Sequence, residues 1–136
     1  MAPMSTQIAT KRQHLAKAHN NRQLSTEIET KIGGYREWQI ITVFYAAVHQ
    51  VQAYLRAKTT DYPQTHGDRD KLIAKIPDLR PIYGPYKDLK HLSVQCRYTC
   101  QLVKQTHVDQ ARQQYETIQT HIETLLSAST GPGGTP

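Results

Sequence analysis

The 136-residue chain has no apolar run long enough to cross a membrane. Its best candidate, Ile40 to Val48, is interrupted by Thr42 and ends at His49, well short of the roughly 18 apolar residues that a span needs. The amino terminus, MAPMSTQIATKRQH, lacks the apolar core of a signal peptide, so a cytoplasmic location is expected. Cysteine is nearly absent. Cys96 and Cys100 are four apart in a helical pattern beside Leu89, Leu92 and Val103, where free thiols pack as small hydrophobes. A zinc site would need two more ligands, with His107 the only near candidate, and a structural disulfide is disfavoured in a reducing compartment. No metal or cofactor is implied. Also missing are a glycine-rich phosphate loop and any alternating apolar-polar run of strand length, which excludes nucleotide-binding α/β folds.

Acidic residues are outnumbered: 17 Lys and Arg stand against 11 Asp and Glu, for a net charge of +6 and a pI near 9.4. Such a balance favours an anionic partner. The excess is uneven, with eleven cations against six acids in residues 32 to 105 and one against three in residues 106 to 136. The cationic surface therefore belongs to the first three-quarters of the chain.

What is present is helical periodicity. Between Tyr35 and Ala57 the large apolar residues Ile41, Phe44, Val48, Val51 and Leu55 recur in steps of three and four, one stripe of a buried helix. Trp38, Tyr45 and His49 fall on the stripe's edge. Ahead of it, Ser5 can cap a first helix whose apolar side is Ile8, Leu15, Ala18, Leu24, Ile28 and Ile32. Asn20 and Asn21 weaken its middle, and Thr26 with Glu29 could restart it, so one long helix and two short ones are both open. Gly33 and Gly34 then permit a tight reversal. After the loop holding Pro63 and Gly67, a short third helix begins near Asp68 and docks through Leu72, Ile73 and Ile76, until Pro77, Pro81, Gly84 and Pro85 punctuate the chain. From Tyr86 a stripe of Leu89, Leu92, Cys96, Cys100 and Val103 resumes. Thr106 with Asp109 makes a capping box for the last helix, whose stripe is Val108, Ala111, Tyr115, Ile118, Ile122 and Leu125. The expected architecture is all-α: one domain over residues 1–127, an antiparallel four-helix bundle with one short extra helix, and a disordered tail over 128–136.

The chemistry-bearing residues gather on the helix flanks. Tyr86, Ser93 and Arg97 line up at spacings of seven and four with Lys90 and Lys104 beside them, and Trp38, Tyr45 and His49 form a matching flank on the central helix. Facing each other, these flanks would make a polar seam, either a structural hydrogen-bond network or a site. His66 and Arg69, in the string H-G-D-R, sit at a helix amino terminus, where they could grip a phosphate. Alternatively Arg69 pairs with Asp70 or Asp61. Lys87, Lys90, Arg97 and Lys104 could track a phosphate backbone or form a solvated face.

The string W-x-I-x-x-x-F-Y-A-A-V-H from Trp38 to His49, then His66 and Arg69, then Tyr86, Leu89, Ser93, Arg97 and Tyr98 in the pattern Y-x-x-L-x-x-x-S-x-x-x-R-Y, resembles small bacterial proteins of the HEPN superfamily. The resemblance implies a helical bundle associated with RNA. Many members are metal-independent endoribonucleases of toxin or defence systems that act as homodimers, some beside an antitoxin-like partner. It implies that Arg97 holds phosphate, that His49, His66 and His107 are acid-base candidates, and that Arg69, Tyr86, Lys90, Ser93, Tyr98 and Lys104 contact substrate. Active members carry Arg, four to six residues, then His, whereas Arg97 meets its next His only at His107. Arg12 and His19 have the spacing, but in the first helix. The alternative function is a non-catalytic module for homodimerisation or partner binding.

Overall fold

The computed structural model of the protein describes residues 8–99 and 102–128. These residues form an all-helical bundle, and no strand occurs among them. Four helices are long: α1 (Lys11–Glu27), α2 (Arg36–Lys58), α4 (Tyr83–Tyr98) and α5 (Gln105–Ala128). Helix α3 (His66–Lys75) is short, and a 3-10 segment (Pro77–Ile82) links it to α4. Of residues 128–136, where a disordered tail is expected, Ala128 is instead the last residue of α5, and 129–136 lie outside the described residues, as does Cys100.

Helix α2 is the axis, packed by α1, α4 and α5. Its expected stripe of Ile41, Phe44, Val48, Val51 and Leu55 is buried, and so are Ile40, Val43, Ala46, Ala47 and Ala53, because neighbours cover it on several sides. The stripe of α5 behaves as its period dictates, with Val108, Ala111, Tyr115, Ile118 and Ile122 buried against α2 and α4. Gln50 of α2 donates to the Tyr115 hydroxyl at 3.1 Å inside that contact. Helix α3 docks through Ile73, with Leu72 and Ile76 partly buried.

Helix boundaries depart from expectation where local capping differs. Ser5 lies outside the described residues, and α1 is instead opened by Thr10, whose hydroxyl accepts the Gln13 N–H while the Gln13 side chain accepts the Thr10 N–H. This reciprocal pair starts the helix at Lys11. The helix then runs through Asn20 and Asn21 unbroken, and Thr26 does not restart it; its end widens into a π-helical turn over Ile28–Ile32. Ile8 and Leu24 are exposed rather than inward, because the face against α2 is built on Ala18, Ser25 and Ile28. The Ile32 side chain lies outside the described set. Gly33, Gly34 and Tyr35 all take positive φ in the reversal to α2. Helix α5 starts one residue before Thr106, and in its first turn His107 Nδ1 reaches back to accept the Lys104 N–H at 3.0 Å. The expected Thr106–Asp109 box is thereby displaced; Asp109 accepts from Gln105 instead. Val103 lies in the loop before α5 and still packs on the core, as does half-buried Cys96.

Candidate functional site

Thr65 opens α3, its hydroxyl accepting the Asp68 N–H at 3.1 Å. That register turns Arg69 inward, where it is 6% exposed. Its Nη1 donates to His66 Nδ1 at 3.0 Å, and its buried Nε has no partner. Asp70 does not serve it. That carboxylate is ion-paired with Lys90 of α4, and the other ion pairs among the described residues are Lys31–Glu27 and Arg112–Glu29. Arg69 is therefore a buried cation with no carboxylate partner, which overturns its expected pairing with Asp70 or Asp61.

Helix α4 supplies the opposite wall. Tyr86 is fully buried, its ring 5.7 Å from that of Phe44, and its hydroxyl lies near the Arg69 guanidinium without a well-formed hydrogen bond. The Ser93 hydroxyl is also fully buried and without a partner. Arg97 donates from Nη1 to the Tyr45 hydroxyl at 3.3 Å, and its Nε is unpartnered. The guanidinium of Arg97 lies 5.7 Å from the centroid of the Tyr98 ring.

Helix α1 adds His14, whose Nδ1 lies 3.0 Å from His49 Nδ1 with ring centroids 5.2 Å apart. One ring must donate and the other accept, so the two Nδ1 atoms hold a single proton between them and the two rings are not both charged at once. Burial is the main reason the ordinary value of each histidine falls. It lowers His49 to about 4, helped by the neighbouring His14, Lys17 and Arg69. His14 is lowered by burial, Arg69 and Arg56, and His66 by burial, Arg69, Lys90 and Arg97 against the opposing pull of Asp70. Burial pushes the Tyr86 phenol up to about 12, with Arg69 pulling the other way. Arg69 thus bonds to His66 directly, and its charge reaches His14, His49 and Tyr86 as well.

The structure brings together Tyr45, His49, His66, Arg69, Tyr86, Lys90, Ser93 and Arg97 from the expected residues. It does not bring in His107 or Lys104, which are bonded to each other at the start of α5, where His107 lines a small hollow with Ile40, Leu92 and Cys96. Trp38 is 53% exposed at the start of α2 rather than part of a closed seam. His14 was not expected. Its signal was its place four residues before Ala18 and eleven before Ser25, on the α1 face that these small residues mark and that the larger apolar residues obscure. No protein-family model matches the chain, and neither a curated protein nor a solved structure is significantly similar to it.

The chemistry of the cluster follows from donor counting. A guanidinium only donates, so His66 accepts at Nδ1 and carries its proton at Nε2, as a donor and not as a base. Arg69, Arg97, Tyr86 and Ser93 offer further N–H or O–H groups that no protein acceptor satisfies. One acceptor of the cluster, Asp70 Oδ1, is likewise unpartnered, and an anion rich in acceptor oxygens would meet the donors. Among the described residues no three His, Cys, Asp or Glu side chains converge as a metal site requires.

Proposed function

We propose that the chain is a HEPN-like, RNA-associated protein, its long helices an antiparallel bundle, that seats a backbone phosphate against Arg69 and Arg97 in the seam between α2, α3 and α4. The observation that carries this reading is the buried Arg69 with no carboxylate in ion-pair contact, since Asp70, whose charge also reaches His66 and Tyr86, is bonded to Lys90. Burying a cation costs several kcal/mol or more unless it is paired. A phosphate would supply the missing charge and the missing acceptors at once.

Seating is favoured over cleavage by the state of the histidines. Cleavage without metal needs a base to take the 2′-hydroxyl proton as its oxygen attacks phosphorus, and an acid to protonate the departing 5′-oxygen. The Nδ1 of His66 is occupied by Arg69. The His14–His49 pair leaves one free Nε2 lone pair, but a ring depressed to about 4 is a weak base at neutral pH.

Labelled mixed RNA titrated with wild type, Arg69→Met and Arg97→Ala, in the presence and absence of EDTA, tests the reading. Wild type binds at low salt, and each variant loses about tenfold or more in affinity, the worth of a charged hydrogen bond to phosphate. Cleavage unaffected by EDTA would extend the reading to a ribonuclease. RNA left intact and unbound would overturn it in favour of a partner-binding module.

A further inference from the structure

The seam leaves one acceptor unmet as well as its donors. Asp70 bonds to Lys90 through Oδ2, while its Oδ1 is buried without a partner. The charge of Asp70 reaches both His66 and Tyr86, so this carboxylate borders the phosphate seat. The unmet donors are Arg69 Nε, Arg97 Nε and the hydroxyls of Tyr86 and Ser93. Tyr86, Lys90, Ser93 and Arg97 fall four, three and four residues apart on one face of α4, opposite Arg69 and Asp70 of α3. A ligand that satisfies the seam must therefore accept several hydrogen bonds and donate one at its edge.

Charge narrows the choice. Arg69, Lys90 and Arg97 line the seam against one carboxylate, Asp70, which Lys90 neutralises. Arg69 and Arg97 are left without a counter-ion. Two further acids lie near, Glu37 beside Cys96 and Asp61 in the groove that holds Arg56 and His14. Neither is in ion-pair contact with the seam. Each also has a cation at hand, Arg36 next in sequence and Arg56 in the same groove, so neither supplies the missing charge. An internal phosphodiester brings one negative charge, whereas a terminal phosphate brings about two at neutral pH and offers one more free oxygen.

Depth points the same way. Arg69 is 6% exposed, and Tyr86 and Ser93 are fully buried. A phosphate carried on a single ester oxygen reaches such a floor end-on, whereas an internal one would draw a sugar in on both sides. From this arrangement we infer that the seam holds the 3′-terminal phosphate of an RNA strand, its free oxygens on Arg69, Arg97, Tyr86 and Ser93 and the neighbouring 2′-hydroxyl donating to Asp70 Oδ1. The inference rests on the phosphate seat proposed above and says which phosphate fills it. A 3′-phosphate has a hydroxyl on the adjacent ribose carbon, the donor that Asp70 lacks. A 5′-phosphate stands on a methylene and has none beside it.

Short oligoribonucleotides of one sequence, labelled internally, are titrated with the full chain at constant ionic strength and followed by fluorescence anisotropy. One carries a 3′-phosphate, one a 5′-phosphate, one hydroxyls at both ends, and one a 3′-phosphate on a terminal 2′-deoxyribose. The 3′-phosphate should bind about tenfold or more tighter than the hydroxyl ends. The 5′-phosphate and the 2′-deoxy end carry the same charge but lack the donor to Asp70, so each should fall about fivefold below the 3′-phosphate and match the other. Arg69→Met, folded at the wild-type melting temperature or above, should bind all four alike. Hydroxyl ends that bind as tightly as the 3′-phosphate would overturn end recognition and leave the seat to internal phosphates. A 5′-phosphate or 2′-deoxy end equal to the 3′-phosphate would overturn the bond to Asp70 and with it the choice of end. Inorganic phosphate that displaces the labelled strand as well as a ribonucleoside 3′-monophosphate does would overturn the strand end in favour of the free ion. No binding by any strand overturns both the end and the seat.

Discussion

Arg69 and Arg112 are both largely withdrawn from water, and they are treated in opposite ways. The Arg112 side chain, 14% exposed on α5, ion-pairs with Glu29 at 2.7 Å and donates to the Ser25 carbonyl and hydroxyl at 3.1 Å and to Gln39 Oε1 at 3.2 Å. Ser25 in turn donates to the Gln39 carbonyl, and Gln39 to that of Gly34. That network ties α5 to the π-turn and to the reversal into α2, and only the Arg112 Nε is left over. Arg69 has a neutral histidine and no carboxylate. A cation whose demands are met by its own chain belongs to the architecture, whereas one whose demands are unmet is open to a ligand.

The largest expected effect breaks the satisfied side of this contrast. Arg112→Ala strands Glu29 and the buried Ser25 and Gln39 groups, costing about 3 kcal/mol, the lower end of the range because Glu29 is 37% exposed. Thermal melting should fall by roughly 10 °C for a domain of this size. RNA binding at a temperature where the variant remains folded should be unchanged. A comparable loss of binding would show that the two clusters are not separate.

Arg69→Met should do the reverse. Replacing an unpaired buried charge by an apolar side chain of similar length is neutral or stabilising, about 1 kcal/mol here, so the melting temperature holds or rises by a few degrees. RNA affinity nevertheless falls about tenfold or more. A drop in melting temperature with no change in binding would make Arg69 a structural residue like Arg112.

The legible part of this molecule was what periodicity controls. The α5 stripe and the α2 stripe are buried as their spacing dictates, and Gly33 and Gly34 follow the first helix as Pro77 follows α3. Pro81 instead sits inside the 3-10 segment, and Gly84 and Pro85 inside the first turn of α4, where a proline needs no N–H partner. The seam was half legible. Tyr45 and Arg97 meet across 52 positions, as matching flanks suggest. The His14–His49 bond and the inward turn of Arg69 were not legible, because both depend on how each helix is rotated about its axis. In α1 that rotation follows Ala18 and Ser25, small residues that permit close approach to α2, rather than the bulkier Leu24. Arg112 was hidden for a different reason. It is the lone cation after residue 105, and nothing in its local pattern points to partners 73 to 87 positions away.

Acidification sharpens the contrast next. His14, His49 and His66 are held below the ordinary 6.5 in the folded chain, His49 at about 4. Between those values the unfolded chain binds more protons, so stability falls as pH falls through the window. Discounted for half exposure, the loss from pH 7 to pH 5 is about 1 kcal/mol, a few degrees of melting temperature. Ligand binding runs the other way. A phosphate offsets the cations facing these rings, Lys17, Arg56, Arg69, Lys90 and Arg97, so the histidines take up protons on binding and RNA affinity rises from pH 8 to pH 6. Affinity that is flat or falling across that range would mean that no anion sits near the histidines.

The smallest expected effects concern the orphan hydroxyls. Tyr86→Phe keeps the fully buried ring and its contact with Phe44, and Ser93→Ala removes one oxygen from an equally buried position. A buried hydroxyl that bonds to the protein contributes about 1 kcal/mol, whereas removing one with no partner is neutral or slightly stabilising. Both variants should therefore melt at or slightly above the wild-type temperature, unlike Arg112→Ala. Their cost should appear only with ligand, as a loss of a few-fold in RNA affinity from missing donors to phosphate. Destabilisation by about 1 kcal/mol with unchanged binding would mean that these hydroxyls find acceptors within the protein, and would move Tyr86 and Ser93 to the architectural side of the comparison, beside Ser25 and Gln39.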